Sequence, residues 1–153
     1  FAAKFTNMGL KIFKAIWFLS MIAGMANLLY VYAGLPEMVM IQDAGASSVS
    51  IGKEGLFYML TVIIAVINAM VYLISSVFRK DVDFRAWFYG LVTTVNIFII
   101  VSFSFVALFN SGEKYDYGSI DFIIFGSIAL VVLWAIGWPF YSIIRKTRHN
   151  QLV

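Results

Sequence analysis

Asn27, Asn68 and Asn96 stand well inside three separate stretches that carry no charged residue. An amide left unpaired in an apolar setting costs free energy, so each should reach another helix or hold a water. Two chemistries follow: hydrogen bonding between helices, or a hydrated path for a polar substrate. The residues that are missing narrow the choice. These stretches hold no Asp, Glu, Lys, Arg or His, so none offers an ionisable group to couple proton or ion movement at depth. The chain has no cysteine, which excludes thiolate catalysis, disulfides and thiolate metal sites. Its one histidine, His149, sits in a basic tail beside Arg148 and Asn150. That leaves no His pair for haem, no HExxH zinc motif and no Ser-His arrangement at membrane depth. Glu113, Asp116 and Asp121 form an acidic cluster on a turn-rich link, where a solvated loop is the simpler reading than a divalent-cation site. The expectation is a protein without catalytic residues, cofactor or metal.

The stretches that position these amides are long. Residues 15–36, 55–78, 86–112 and 122–144 contain no Asp, Glu, Lys or Arg, and about 20 apolar residues suffice for a helix to cross the hydrocarbon core. With 62% hydrophobic and 12% charged residues and a mean hydropathy of +0.91, too little polar sequence remains to coat a water-facing globule. The expected fold is all-α: one antiparallel bundle of four transmembrane helices, with spans near 12–35, 55–78, 86–110 and 120–144. Lys4, Lys11 and Lys14 ahead of the first run are also a signal-peptide feature. That run exceeds the ~7–15 residues of a signal core, so it is expected to stay as a helix.

Basic residues set the expected orientation. Lys4, Lys11 and Lys14 precede the first span, Arg79, Lys80 and Arg85 follow the second, and Arg145, Lys146 and Arg148 follow the fourth. Only Lys53 and Lys114 lie in the other two connections, so the positive-inside rule places both termini in the cytoplasm. Residues 36–54 and 111–119 are then outer loops and 79–85 an inner one. In the first outer loop, Pro36 should stop the preceding helix. The β-prone runs 39–42 and 48–51 around Asp43-Ala44-Gly45-Ala46 predict a small hairpin over the outer face. Trp17, Trp87, Trp134 and Trp138, with several tyrosines, lie mostly near span ends and read as interfacial anchors, Trp134 being deeper. Pro139 in Gly137-Trp138-Pro139 predicts a kink in the fourth span. Small residues four apart, Ser20/Gly24, Ala65/Ala69, Ala86/Gly90 and Gly90/Thr94, permit close helix approach.

The two halves share features. "FKAIWF" at 13–18 and "FRAWF" at 84–88 each open a span, and "VFRK" and "IIRK" close the second and fourth. Either a parallel duplication or a common positive-inside pressure accounts for this.

Two resemblances attach to quoted residues. Leu35-Pro36-Glu37, then Gly45 and Lys53 before the second span, resembles the short extracytoplasmic segment of the family of bacterial membrane proteins that includes the SdpI immunity proteins. The match spans roughly residues 15–70; Met40 and Gln42 stand nearby, and the second Pro and the His that often accompany the pattern are missing. More broadly, "FRAWFYG", "LFNSGEKYDY" and "WPFY" make the chain similar to small uncharacterised four-helix inner-membrane proteins of Bacteroidota. That similarity implies a bacterial inner-membrane location and no activity.

Three functions remain open. The first is an accessory or assembly subunit of a larger envelope complex, such as a motor or secretion system, with the bilayer and other membrane subunits as partners and no nucleic acid. The second is a sensor or immunity protein that recognises a peptide or lipid through Pro36, Glu37, Asp43, Lys53 and Glu54. The third is a small carrier using the Asn27, Asn68 and Asn96 region.

Overall fold

Chain polarity is inverted relative to a water-soluble fold. Asn68 and Asn96 are only 4% and 2% exposed, whereas Phe122, Val77 and Leu133 are 79%, 74% and 70% exposed. Such a surface is stable only where the surrounding solvent is apolar. The computed structural model describes residues 2–42, 47–114 and 116–150. The described elements are helix α1 (Ala2–Gly34), strands β1 (Met38–Gln42) and β2 (Val49–Gly52), then helices α2 (Lys53–Val77), α3 (Val82–Asn110) and α4 (Tyr117–Asn150). Among the described residues, four helices are long and apolar enough to cross a membrane, with candidate spans of 28, 25, 29 and 30 residues. At 1.5 Å per residue even 25 residues reach about 37 Å, beyond the ~30 Å hydrocarbon thickness. The chain is a multi-pass membrane protein.

Helix ends follow local chemistry. Leu35 N–H still bonds Tyr32 O at 3.4 Å, and Pro36 ends the run. The link between α2 and α3 is shorter than the charged stretch 79–85 predicts, because Asp81 accepts from Phe84 N–H at 3.1 Å and caps α3, which starts at Val82. At the other end of α3, Gly112 adopts a φ of 73°, a left-handed conformation that glycine takes without strain just past a helix. Asp116 then accepts from Gly118 N–H at 3.1 Å and Ser119 Oγ–H at 3.2 Å at the start of α4. That carboxylate serves as a helix cap. Pro139 lies within α4, which continues to Asn150.

α3 is the hub. It runs parallel to α1, pairing Ser20 with Asn96 and Asn27 with Ser104. It runs antiparallel to α2 and α4, pairing Asn96 with Asn68 and Trp87 with Trp134. Gly24 is buried on the α1–α3 seam, where a Cβ would stand 3.9 Å from Ile100. Two apolar clusters fill the α1–α2–α3 interior. Leu28, Val31, Leu56, Ile64 and Phe103 lie toward the hairpin, while Trp17, Val71, Tyr89 and Val92 lie toward the opposite end. Asn68 and Asn96 form the layer between them.

The two strands pair antiparallel, Met38 opposite Gly52 and Val39 opposite Ile51, with an irregularity between Met40 and Gln42. Val39 is fully buried and plugs the first cluster, so the hairpin is clamped on the bundle end. The turn expected at 43–46, with Asp43, lies outside the described residues.

Candidate functional site: a buried amide pair and an aromatic cavity

Asn68 and Asn96 face each other as a reciprocal amide pair. Asn68 Nδ2–H donates to Asn96 Oδ1 and Asn96 Nδ2–H to Asn68 Oδ1, both at 3.0 Å. The remaining amide protons go to Ile64 O at 2.8 Å and Ser20 Oγ at 3.0 Å. Trp17 Nε1–H completes the set by donating to Asn68 Oδ1 at 2.9 Å, and Ser20 Oγ–H donates to Trp17 O at 2.7 Å. Three helices thus share one closed network, and both amides have their protons satisfied without water. Such closure is the arrangement that low dielectric favours, since a partly satisfied network would be costly.

Asn27 is elsewhere. It exchanges hydrogen bonds with Ser104, at 2.9 Å and 3.1 Å, two helical turns nearer the hairpin. The three amides therefore do not line a common path.

The residues of the loop between α1 and α2 are divided similarly. Lys53 Nζ lies 2.7 Å from Glu37 Oε1 and 5.6 Å from the Tyr32 ring centroid, while Lys53 N–H donates to Glu37 O at 3.0 Å. This pair ties the base of the hairpin. Pro36 is exposed, and Glu54 is an exposed acid in the first turn of α2, where it complements the helix dipole. Sequence reasoning missed Asn110, whose amide donates to Met40 O at 2.9 Å and accepts from Met40 N–H at 2.7 Å. One side chain thereby closes the free edge of β1 in place of a third strand.

The tryptophans are not only anchors. Trp17 is buried in the amide network. Trp87 Nε1–H donates to Trp134 O at 2.9 Å, and Trp134 Nε1–H donates to Trp87 O at 3.0 Å, so α3 and α4 are stitched reciprocally. The interfacial-anchor reading fails for Trp17 and Trp87, whose indole N–H groups are already spent inside the protein, whereas Trp134, the deeper one, packs against α3.

Gly90 makes the stitch sterically feasible, since a Cβ there would overlap the Trp134 indole. Beyond it, Phe84, Trp87 and Trp138 pack with ring centroids 5.0 to 5.5 Å apart. Tyr141 Oη–H donates to Asp83 Oδ2 at 2.8 Å. Arg145 Nη1 lies 3.7 Å from Asp81 Oδ1 and 3.6 Å from Asp83 Oδ2. Trp87, Trp138, Tyr141 and Asp83, with Phe13 and Trp134, border a cavity of about 350 Å³ between α1, α3 and α4.

A second, almost wholly apolar cavity of about 340 Å³ opens between α1 and α2, bordered by Met21, Met25, Ala65, Ala69 and Tyr72. Among the described residues, no group of three or more His, Cys, Asp or Glu side chains is placed to hold a metal. The side chain of His149 lies outside the described set.

Comparison with protein-family models, with curated proteins and with solved structures found no match for this chain.

Proposed function

We propose that this protein is a non-catalytic inner-membrane subunit that assembles with larger integral membrane proteins of the bacterial envelope, with both termini in the cytoplasm. The observation that carries this reading is the closed Asn68–Asn96 network, which consumes the buried amides in holding α1, α2 and α3 together. A carrier would need polar groups free to exchange partners with a substrate. Here each amide would have to break several internal bonds first. The role left to the bundle is to present helix surface, much of it on α4, whose side chains are mostly exposed. Recognition at the outer hairpin is the second reading, favoured by Met38, Ile41 and Val49, which the clamped strands leave exposed.

A tagged copy at native expression, solubilised in mild detergent, separates these readings. A subunit should co-purify with a stoichiometric membrane partner identified by mass spectrometry, and substitutions on exposed α4 positions such as Leu133 should release it. Release by hairpin substitutions alone favours recognition. A partner-free monomer with transport activity of its own defeats both.

A further inference from the structure

The cavity between α1, α3 and α4 is built from groups with one electrostatic preference. Phe13, Trp87, Trp134, Trp138 and Tyr141 supply its wall, and Asp83 supplies a carboxylate. Because the N–H groups of Trp87 and Trp134 are committed to backbone carbonyls, these indoles offer the cavity π surface and not donors. An aromatic face attracts a cation within about 6 Å of its centroid. A carboxylate adds negative charge, shared on Asp83 with Arg145 3.6 Å away, and about four acceptor positions, of which Tyr141 uses one. An anion would be repelled by this lining, and a neutral apolar ligand would leave the remaining acceptor positions of Asp83 unused.

The geometry points to a binding site for an organic ammonium group, supplied by an ethanolamine- or choline-type phospholipid headgroup or by the free amine. This goes beyond the assembly role and does not depend on it. Position supports the choice. Asp83 stands where the charged stretch 79–85 meets the uncharged run beginning at Ala86, the depth at which headgroups meet hydrocarbon. Arg145 is near Asp83 and half exposed, so a phosphate bonded to the ammonium headgroup has a cation to meet at the rim.

The test uses the full chain purified in a nonionic maltoside. Three of its four tryptophans border the cavity, so intrinsic fluorescence reads occupancy. Dihexanoyl phosphatidylethanolamine, phosphatidylcholine and phosphatidylglycerol are titrated in turn, followed by ethanolamine and choline. The amine lipids should saturate the signal at concentrations about tenfold or more below phosphatidylglycerol, as a gain of 1.4 kcal/mol would give. Asp83→Asn should weaken that response about tenfold, in line with loss of a charge-assisted bond. Gly137→Leu, which places a side chain into the open space bordering the cavity while keeping Asp83 and Tyr141, should weaken it as well. If ethanolamine or choline saturates the signal as readily as the lipids, the ligand is a soluble amine; a response confined to the lipids assigns the headgroup. Equal titration by phosphatidylglycerol, or unchanged titrations in both variants, overturns the site.

Discussion

Asn68 illustrates how one side chain acquires meaning from its partners. It makes two donations and two acceptances, reaching α1 and α3 from α2. Asn68→Leu should destabilise the protein by about 1–3 kcal/mol, since it leaves the Trp17 indole without its acceptor and Asn96 with only its bond to Ser20. Asn96→Leu should cost a similar amount, since it removes both bonds of the amide pair and the one to Ser20. The double variant should cost less than the sum, because each single change already breaks both bonds of the pair. Reversible unfolding in mixed micelles measures all four corners of the cycle. Additive losses would mean that the two amides do not depend on each other.

At the level of elements, the α3–α4 contact rests on a glycine and two tryptophans. A Cβ at Gly90 would come within 2.8 Å of Trp134 Nε1, so Gly90→Ala must push the indole off its bond to Trp87 O. Overpacking of this kind costs about 1–3 kcal/mol, and here it should also shift the Trp134 emission. The same substitution at Gly126 meets no atom within 4 Å. There Ala should be neutral or stabilising by up to about 1 kcal/mol through helix propensity. Opposite signs for one chemical change on adjoining helices would locate the effect in packing; equal effects would refute the clamp. The hairpin is held by a comparable division of labour, Val39 filling the cluster below and Asn110 closing the β1 edge.

For the molecule as a whole, orientation is open to direct test because the chain contains no cysteine. Single cysteines at exposed Glu54 and Glu113 should react with a membrane-impermeant maleimide in intact cells, and those at Lys80 and Thr147 only after permeabilisation. The reverse pattern would reject cytoplasmic termini. Much of this architecture was legible in the sequence. Uncharged runs of membrane-spanning length specify helices because a bilayer leaves the backbone few other ways to satisfy its hydrogen bonds. The hairpin was legible as well, since β-prone runs separated by turn residues encode it locally. Short-range signals were also present for two features that charge and hydropathy patterns overlook, the Asp81 cap and the left-handed Gly112. The partners of Asn27, Asn68 and Asn96 were decided only in three dimensions. All three amides occupy equally apolar surroundings in the sequence, yet α1 and α3 lie parallel, which brings Ser20 to Asn96 and Ser104 to Asn27. Trp134 likewise carries no local mark of its seat on Gly90. Span lengths are written in consecutive residues, whereas the network and the cavity arise from contacts between residues of different helices 28 to 76 positions apart, and helix packing alone sets those.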